Sequence, residues 1–164
     1  MIRLPEQALA GSYPPLVTPF SDGKVDYSAY ERLIEHQVAG GSQGVVVTGT
    51  SGEPSLLTVD ERAQLVRVAA RAAAGRVTVV AATGCGTYEE TCLLSQRAEA
   101  EGADALLVVT PYYLRPPQRG MVEYFVDLAG RTGLPVLIYH IPGRAAVTME
   151  PATLEAIASR ADNV

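Results

Sequence analysis

Residues 49–53 (Gly-Thr-Ser-Gly-Glu) combine two glycines with two hydroxyl side chains in a predicted strand-to-helix turn. Glycine lets the main chain approach a ligand closely, and the amide N–H groups of such a turn can form a nest for an anion. The segment has neither the lysine of a phosphate loop nor the glycine spacing of a dinucleotide site, so it suits a small carboxylate. Gly49, Thr50 and Ser51 would bind that carboxylate. A plain glycine turn remains the alternative.

Two tyrosines, Tyr113 and Tyr139, lie at or near the ends of apolar runs. A phenol can both donate and accept a proton, so these two rings and the Thr50 hydroxyl could relay a proton if they share one face of the fold. Aromatic side chains also fill the mouths of α/β folds, and this packing role remains the alternative for each ring.

The other candidates are an arginine, two histidines and two cysteines. The planar guanidinium of Arg144 could bind a carboxylate through two hydrogen bonds, and a surface ion pair is its alternative. We expect His140 to be packed at an apolar strand end and His36 to lie on the solvated face of a helix. Cys85 and Cys92 are expected to be small buried side chains, too few for a disulfide framework or a four-ligand metal site. We therefore expect no metal.

Short apolar runs that alternate with amphipathic stretches must position these residues. The runs are continuous in hydrophobicity, which indicates strands buried on both faces in a parallel sheet. They begin about 30 residues apart, the size of a βαβ step, and the carboxyl ends of parallel strands share one edge. The polar segments should therefore converge there. The predicted strands are 15–18, 44–48, 77–81, 105–110 and 135–139, with a sixth starting at 163–164. The predicted helices are 27–39, 59–74, 88–101, 121–131 and 151–159.

Three predicted helices begin with residues that can satisfy free amide donors. Thr58 with Glu61, and Thr87 with Glu90, have the spacing of a capping box, in which hydroxyl and carboxylate each accept from the other residue's amide. Asp26 can cap the first helix in a simpler way. These signals fix the starts of helices that directly follow the chemically interesting turns.

Composition limits the classes of protein that this chain can represent. The 164 residues carry a formal net charge of −5 and are 48% hydrophobic, which favours one folded domain over residues 1–164 and gives no basic surface for nucleic acid. The sequence shows no apolar run of membrane-spanning length and no secretory leader, so we expect a cytoplasmic protein that does not associate with membranes. By length alone an open sheet is favoured over a closed barrel, which needs about 250 residues.

Four segments together resemble the dihydrodipicolinate synthase and N-acetylneuraminate lyase family of class I pyruvate aldolases. They occur in the family's order, and they are residues 14–20 (PPLVTPF), 49–53 (GTSGE), 110–120 (TPYYLRPPQRG) and 139–144 (YHIPGR). The resemblance implies a parallel (β/α)8 TIM barrel, of which this chain would form roughly five and a half βα units. It also implies a lyase that needs no metal or organic cofactor.

The resemblance assigns a role to each candidate residue. Ser51 and the main chain of its turn would bind the pyruvate carboxylate, and Thr50, Tyr113 and Tyr139 would relay a proton. Tyr113 would reach across a dimer interface into the site of the partner chain, which implies a homo-oligomer, a dimer or tetramer. Arg144 would bind the carboxylate of the aldehyde substrate, which favours condensation of pyruvate with aspartate-4-semialdehyde in lysine biosynthesis.

Three departures from the family pattern keep alternatives open. Ser51 replaces a common threonine, and His140 replaces a common asparagine, so an aldolase or dehydratase acting on a 2-keto-3-deoxy sugar acid or sialic acid remains possible. The family's nucleophile is a lysine that forms a Schiff base with pyruvate, and it is expected just beyond Val164. Lys24 is the only lysine in the sequence, and an amine in a polar turn stays hydrated and protonated. A catalytically inactive fragment or degenerate relative is therefore the third reading.

Overall fold

A computed structural model describes residues 10–164. Residues 1–9 lie outside the described part. The predicted single domain, 1–164, and the segment predicted to lack a secretory leader both include them. The strands are β1 (Phe20–Ser21), β2 (Lys24–Val25), β3 (Gly44–Val47), β4 (Thr78–Ala82), β5 (Ala105–Val109) and β6 (Val136–Tyr139). The helices are α1 (Tyr27–Ala39), α2 (Val59–Ala73), α3 (Tyr88–Ala100), α4 (Gln118–Ala129), α5 (Pro142–Ala145) and α6 (Pro151–Ala158).

Strands β3, β4, β5 and β6 form one parallel sheet in that order. Each consecutive pair is connected through a helix, as parallel strands require. Three of the four β3 residues and three of the five β4 residues are buried, which explains why these runs are apolar without alternation. The predicted parallel α/β architecture is confirmed, and the four observed strands agree with the predicted ones to within one residue at each end.

The first predicted strand, 15–18, is wrong as a regular strand. Only Pro15 pairs with β3, as an isolated parallel bridge to Val46. The Leu16 amide donates to the Val46 carbonyl at 2.9 Å, and the Val46 amide donates to the Pro14 carbonyl at 3.0 Å. Because Pro14 lies on the side that faces β3 and has no amide hydrogen, it cannot donate the next bond that a longer ladder would need.

The helices begin and end close to their predicted positions, with one exception. Thr58 and Glu61 form the complete capping box of α2, and the Asp26 carboxylate accepts from the Ala29 amide at 2.8 Å to cap α1. The exception is α4, which begins at Gln118, three residues earlier than predicted. This difference matters because Gln118 makes contacts that belong to the candidate site.

The capping box predicted for α3 is only half formed among the hydrogen bonds of the described residues. The Thr87 hydroxyl accepts from the Glu90 amide at 3.2 Å, but the Glu90 carboxylate makes no return bond to the Thr87 amide. Glu90 instead lines the cavity described below. The Glu90 side chain therefore lies at the cavity wall and does not bond the Thr87 amide.

An antiparallel hairpin of β1 and β2 precedes α1. Its two turn residues, Asp22 and Gly23, both have positive φ angles, 50° and 74°, as a two-residue hairpin turn requires. Lys24 begins β2 and is exposed. The single lysine of the sequence is therefore surrounded by water.

Candidate active site

The carboxyl ends of β3, β4, β5 and β6 surround a cavity of about 780 Å³. Its floor consists of apolar side chains from the strands, such as Val46 and Leu107. Its rim consists of polar residues from the loops that follow those strands. The sequence-predicted residues that line the cavity are Gly49, Thr50, Ser51, Tyr139 and Arg144.

The hydroxyl loop, residues 49–57, follows β3 and carries the predicted pyruvate-binding residues. Gly49 is buried, while Thr50 and Ser51 are exposed at the cavity. The loop folds as two successive 3₁₀ turns, Thr50–Gly52 and Pro54–Leu56, joined by a residue in the left-handed conformation. The main-chain hydrogen bonds within these two turns keep the Thr50 and Ser51 side chains at the cavity, although the loop contains no α-helix.

One buried hydrogen bond attaches the hydroxyl loop to the start of the fold. The Thr18 hydroxyl donates to the Gly52 carbonyl at 2.7 Å, and both residues are buried. A Cβ atom on Gly52 would lie 3.2 Å from the Leu16 carbonyl and 3.3 Å from the Thr18 hydroxyl. Thr18 is the last residue of the first predicted strand and lies in the resembling segment 14–20, but no role in the site was predicted for it.

The predicted proton relay is only partly assembled within one chain. Tyr139 is the last residue of β6 and lines the cavity together with Thr50. Tyr113 is 89% exposed, has a φ angle of +70°, and is not among the cavity-lining residues. Thr50 and Tyr139 therefore share the cavity, whereas Tyr113 points into solvent, and a relay of all three remains a prediction.

Arg144 reaches the cavity from the arginine loop, residues 141–150, which contains the short helix α5. None of the ion pairs found within residues 10–164 involves Arg144, so its alternative as a surface ion pair finds no support there. The buried side chain of Ala145 anchors α5 next to it. An exposed guanidinium at the rim of a cavity can bind an anionic ligand through two hydrogen bonds.

His140 and Cys85 differ from their sequence-based expectations. His140 is exposed, and its Nε2 atom accepts a hydrogen bond from the Met149 amide at 3.1 Å, so it is not a packed histidine. Cys85 is half-buried on the cavity wall, whereas Cys92 is buried as expected. His36 is exposed on α1, as predicted.

One charged residue on the cavity wall was not predicted from the sequence. Arg62, in α2, is only 6% exposed and donates from Nη2 to the Ala82 carbonyl at 3.0 Å. Burial lowers the pKa of the Arg62 guanidinium, although an arginine stays charged in proteins. The signal was available, because Arg62 lies three and four residues before the buried Leu65 and Val66 and so falls on the apolar face of the helix.

Three further residues beside Arg62 line the same wall: Cys85, Glu90 and Tyr112. Burial raises the pKa of the Cys85 thiol, and the nearby negative charge of Glu90 raises it further. Burial also raises the pKa of the Tyr112 phenol. Both groups are therefore held in their neutral, protonated forms near neutral pH.

Within residues 10–164 there is no group of three His, Cys, Asp or Glu side chains that could hold a metal ion. In the same part of the chain, no helix combines the length and hydrophobicity needed to cross a membrane. The expectation that the reaction needs no metal or organic cofactor stays a prediction.

Comparison with known proteins gives one consistent family. Residues 8–164 match the model of the dihydrodipicolinate synthetase family. The chain is 47% identical over 148 residues to the 4-hydroxy-tetrahydrodipicolinate synthase of Ruegeria pomeroyi, covering 90% of this chain and 51% of the relative.

Two solved structures show the same relationship. Dihydrodipicolinate synthase from Aquifex aeolicus is 41% identical, with a TM-score of 0.91 over 94% of this chain and 53% of the other. The chloride-inhibited dihydrodipicolinate synthase from Acinetobacter baumannii, complexed with pyruvate, is 35% identical, with a TM-score of 0.89 and the same coverage. The sheet of β3 to β6 is thus part of the TIM barrel of these enzymes, and the chain spans about half the length of the relatives it matches. This chain belongs to the dihydrodipicolinate synthetase family.

Proposed function

We propose that these residues form the substrate-binding half of a 4-hydroxy-tetrahydrodipicolinate synthase site, which condenses pyruvate with aspartate-4-semialdehyde through a lysine Schiff base. The observation that carries the proposal is the convergence of Thr50, Tyr139 and Arg144 on one cavity. A keto acid and an aldehyde that carries a carboxylate need two separate anion-binding positions. The hydroxyl loop, after β3, and the arginine loop, after β6, provide them at the two outermost strands of the four-stranded sheet.

The amine must come from outside these 164 residues. Lys24 is exposed in the β1–β2 hairpin and is not among the cavity-lining residues, so its ammonium keeps its water of hydration. In the proposed reaction, a desolvated lysine attacks the C2 atom of pyruvate, water leaves, and a protonated imine forms. That imine withdraws electrons from the neighbouring methyl carbon.

Tyr139 and Thr50 then move the proton. Removal of a proton from the methyl carbon gives an enamine, whose carbon attacks the aldehyde carbon of the second substrate. Arg144 holds the carboxylate of that substrate. Cyclisation by its amino group then releases the product from the lysine. Each group would act at the stage for which its position at the cavity suits it.

Tyr113 enters this proposal through a second copy of the chain. Its ring is 89% exposed and its main chain has a positive φ, so the ring is held away from its own chain at some conformational cost. We propose that a homo-oligomer, a dimer or tetramer, inserts Tyr113 into the partner's cavity beside Thr50 and Tyr139. The cytoplasmic location predicted from the sequence is part of the same proposal.

Borohydride reduction in the presence of pyruvate tests the proposal. The gene product that contains these 164 residues should gain one pyruvyl adduct on a lysine, which mass spectrometry of its peptides locates. The 164-residue chain alone should gain none, because Lys24 is the only amine side chain that it offers. Absence of an adduct on the gene product would remove the Schiff-base mechanism and favour an inactive relative.

A second candidate is an aldolase or dehydratase for a 2-keto-3-deoxy sugar acid or sialic acid. The observation that favours it is the position of His140 directly after the cavity-lining Tyr139, where asparagine is common in the family, because this departure leaves the choice of the second substrate open. Both candidates predict the pyruvyl adduct. Comparison of turnover with aspartate-4-semialdehyde and with sugar acids decides between them.

A further inference from the structure

Two side chains bind main-chain atoms of three consecutive residues, Thr148, Met149 and Glu150, at the end of the arginine loop. The Met149 amide donates to His140 Nε2 at 3.1 Å. The Gln118 side-chain amide donates to the Thr148 carbonyl at 2.9 Å, and its carbonyl oxygen accepts from the Glu150 amide at 3.1 Å. Met149 is buried beneath this junction, so the loop returns to the fold at a fixed point.

The hydrogen bond between His140 and Met149 closes the loop that carries Arg144. His140 follows the last residue of β6, and Met149 lies nine positions later, so the bond joins the two ends of an excursion over residues 141–148. Inside the excursion, the Arg144 amide donates to the Ile141 carbonyl at 3.0 Å as α5 begins. Closing a short loop restricts the positions that its exposed side chain can reach.

Gln118 is held in one orientation. Its carbonyl oxygen also accepts from the hydroxyl of the buried residue Thr153 at 2.6 Å, and its amino group is needed by the Thr148 carbonyl. A flipped amide would place a donor against two donors and lose these bonds. Gln118 therefore joins the first turn of α4 to the arginine loop and to the first turn of α6.

We propose that His140 and Gln118 are positioning residues that hold Arg144 at the cavity for the carboxylate of the aldehyde substrate. The assignment of that carboxylate rests on the proposed function, whereas the restraint on the loop rests on the contacts alone. Nε2 accepts from the Met149 amide and therefore carries no hydrogen, so the ring hydrogen of His140 lies on Nδ1. Neither residue is among those that line the cavity, so both would act only through Arg144. The effect therefore falls on the second substrate.

Hydrogen exchange of the loop tests the restraint without any substrate. His140→Leu removes the acceptor, and we expect the Met149 amide to exchange about tenfold faster, the change that corresponds to loss of one net hydrogen bond. His140→Gln places an amide oxygen close to the position of Nε2 and should restore protection. His36→Leu, on the exposed face of α1, is the matched control and should leave this amide unchanged.

Kinetics of the gene product that contains these residues test the positioning role. His140→Leu should raise the KM for the aldehyde about tenfold and leave kcat and the KM for pyruvate within about twofold, with rescue by His140→Gln. Equal exchange rates in His140→Leu and wild type, or equal changes in both KM values, would overturn the inference. If the wild type traps no pyruvate, the proposed function fails, while the exchange rates still decide whether His140 restrains the loop.

Discussion

The hydroxyl loop and the arginine loop hold their ligand-binding groups in different ways. The hydroxyl loop is built from hydrogen bonds between near neighbours, such as Gly52 amide to Gly49 carbonyl and Glu53 amide to Thr50 carbonyl. Thr18 is its one distant hydrogen-bond partner among residues 10–164. The arginine loop has only one short turn of its own, and its return is fixed by the side chains of His140, directly after β6, and Gln118, in α4.

This difference teaches where the precision of the candidate site comes from. A turn made of its own main-chain bonds is specified by a few adjacent residues, so substitutions elsewhere should affect it little. A loop fixed by side chains from other elements depends on the relative placement of those elements. The arginine loop should therefore be the more easily altered of the two, and with it the choice of aldehyde.

The largest effect is expected for Arg144→Leu. Loss of the contact with a carboxylate should raise the KM for aspartate-4-semialdehyde by roughly 10- to 100-fold, because a hydrogen bond to a charged group contributes about 1.5 to 3 kcal/mol and water replaces the rest of the contact at this exposed rim. Steady-state kinetics of the gene product measure it. Arg160→Leu, which removes an ion pair with Glu123 on α4, is the control and should leave the KM unchanged. Loss of pyruvate trapping in Arg144→Leu would contradict a role confined to the aldehyde.

The next effect is expected for Gln118→Leu. This change removes three hydrogen bonds, to Thr148, Glu150 and Thr153, and should lower the free energy of unfolding by about 3 kcal/mol. Urea denaturation measures it. Gln96→Leu, at an exposed position of α3, should change stability by less than about 0.5 kcal/mol. Equal stabilities of the two variants would show that the loop does not depend on Gln118.

A smaller loss is expected for Thr18→Val. The valine has nearly the same shape but leaves the buried Gly52 carbonyl without a partner, at a cost of about 1 to 3 kcal/mol. Thr148→Val is the matched change in the arginine loop, where only the main-chain carbonyl of the residue makes a contact, so it should be nearly neutral. Similar losses in both variants, measured by denaturation, would remove the distinction between the loops.

The smallest effects are expected for two glycine substitutions of opposite sign. Gly52→Ala should cost about 1 kcal/mol, because its Cβ would press on Leu16 and Thr18. Gly143→Ala, in α5, meets no atom within 4 Å and should stabilise the chain by about 0.5 kcal/mol through the lower entropy of the unfolded state. Shifts of the denaturation midpoint in the same direction would contradict this contrast.

The elements that depend on local sequence were predictable. Apolar runs gave the four strands, and the Thr58–Glu61 pair gave the start of α2, because each signal acts over a few residues. Residues 15–18 were predicted to form a strand because their composition suits one. The prediction was wrong because Pro14 cannot extend a ladder. The positions of Thr50, Tyr139 and Arg144 at one cavity followed from the rule that parallel strands end on the same edge.

The contacts that tie distant segments together could not be predicted. Gln118 and Thr148 are 30 residues apart, and Thr18 and Gly52 are 34 apart, so no local pattern marks either pair. Arg62 is an intermediate case, because its position on the apolar face of α2 was visible while its partner, the Ala82 carbonyl, was not. The restraints on the site thus lie mainly beyond the range of sequence patterns.

The prolines at the start of the sheet also have a consequence for self-assembly. The Pro14 carbonyl and the Leu16 amide both face β3, so the polar atoms of Pro15 itself face the outer edge. That edge presents a carbonyl oxygen at Pro15 but no amide hydrogen. A strand from another molecule that approached this edge of the 164 residues by themselves would leave one of its own acceptors unmatched, which weakens edge-to-edge pairing between such chains.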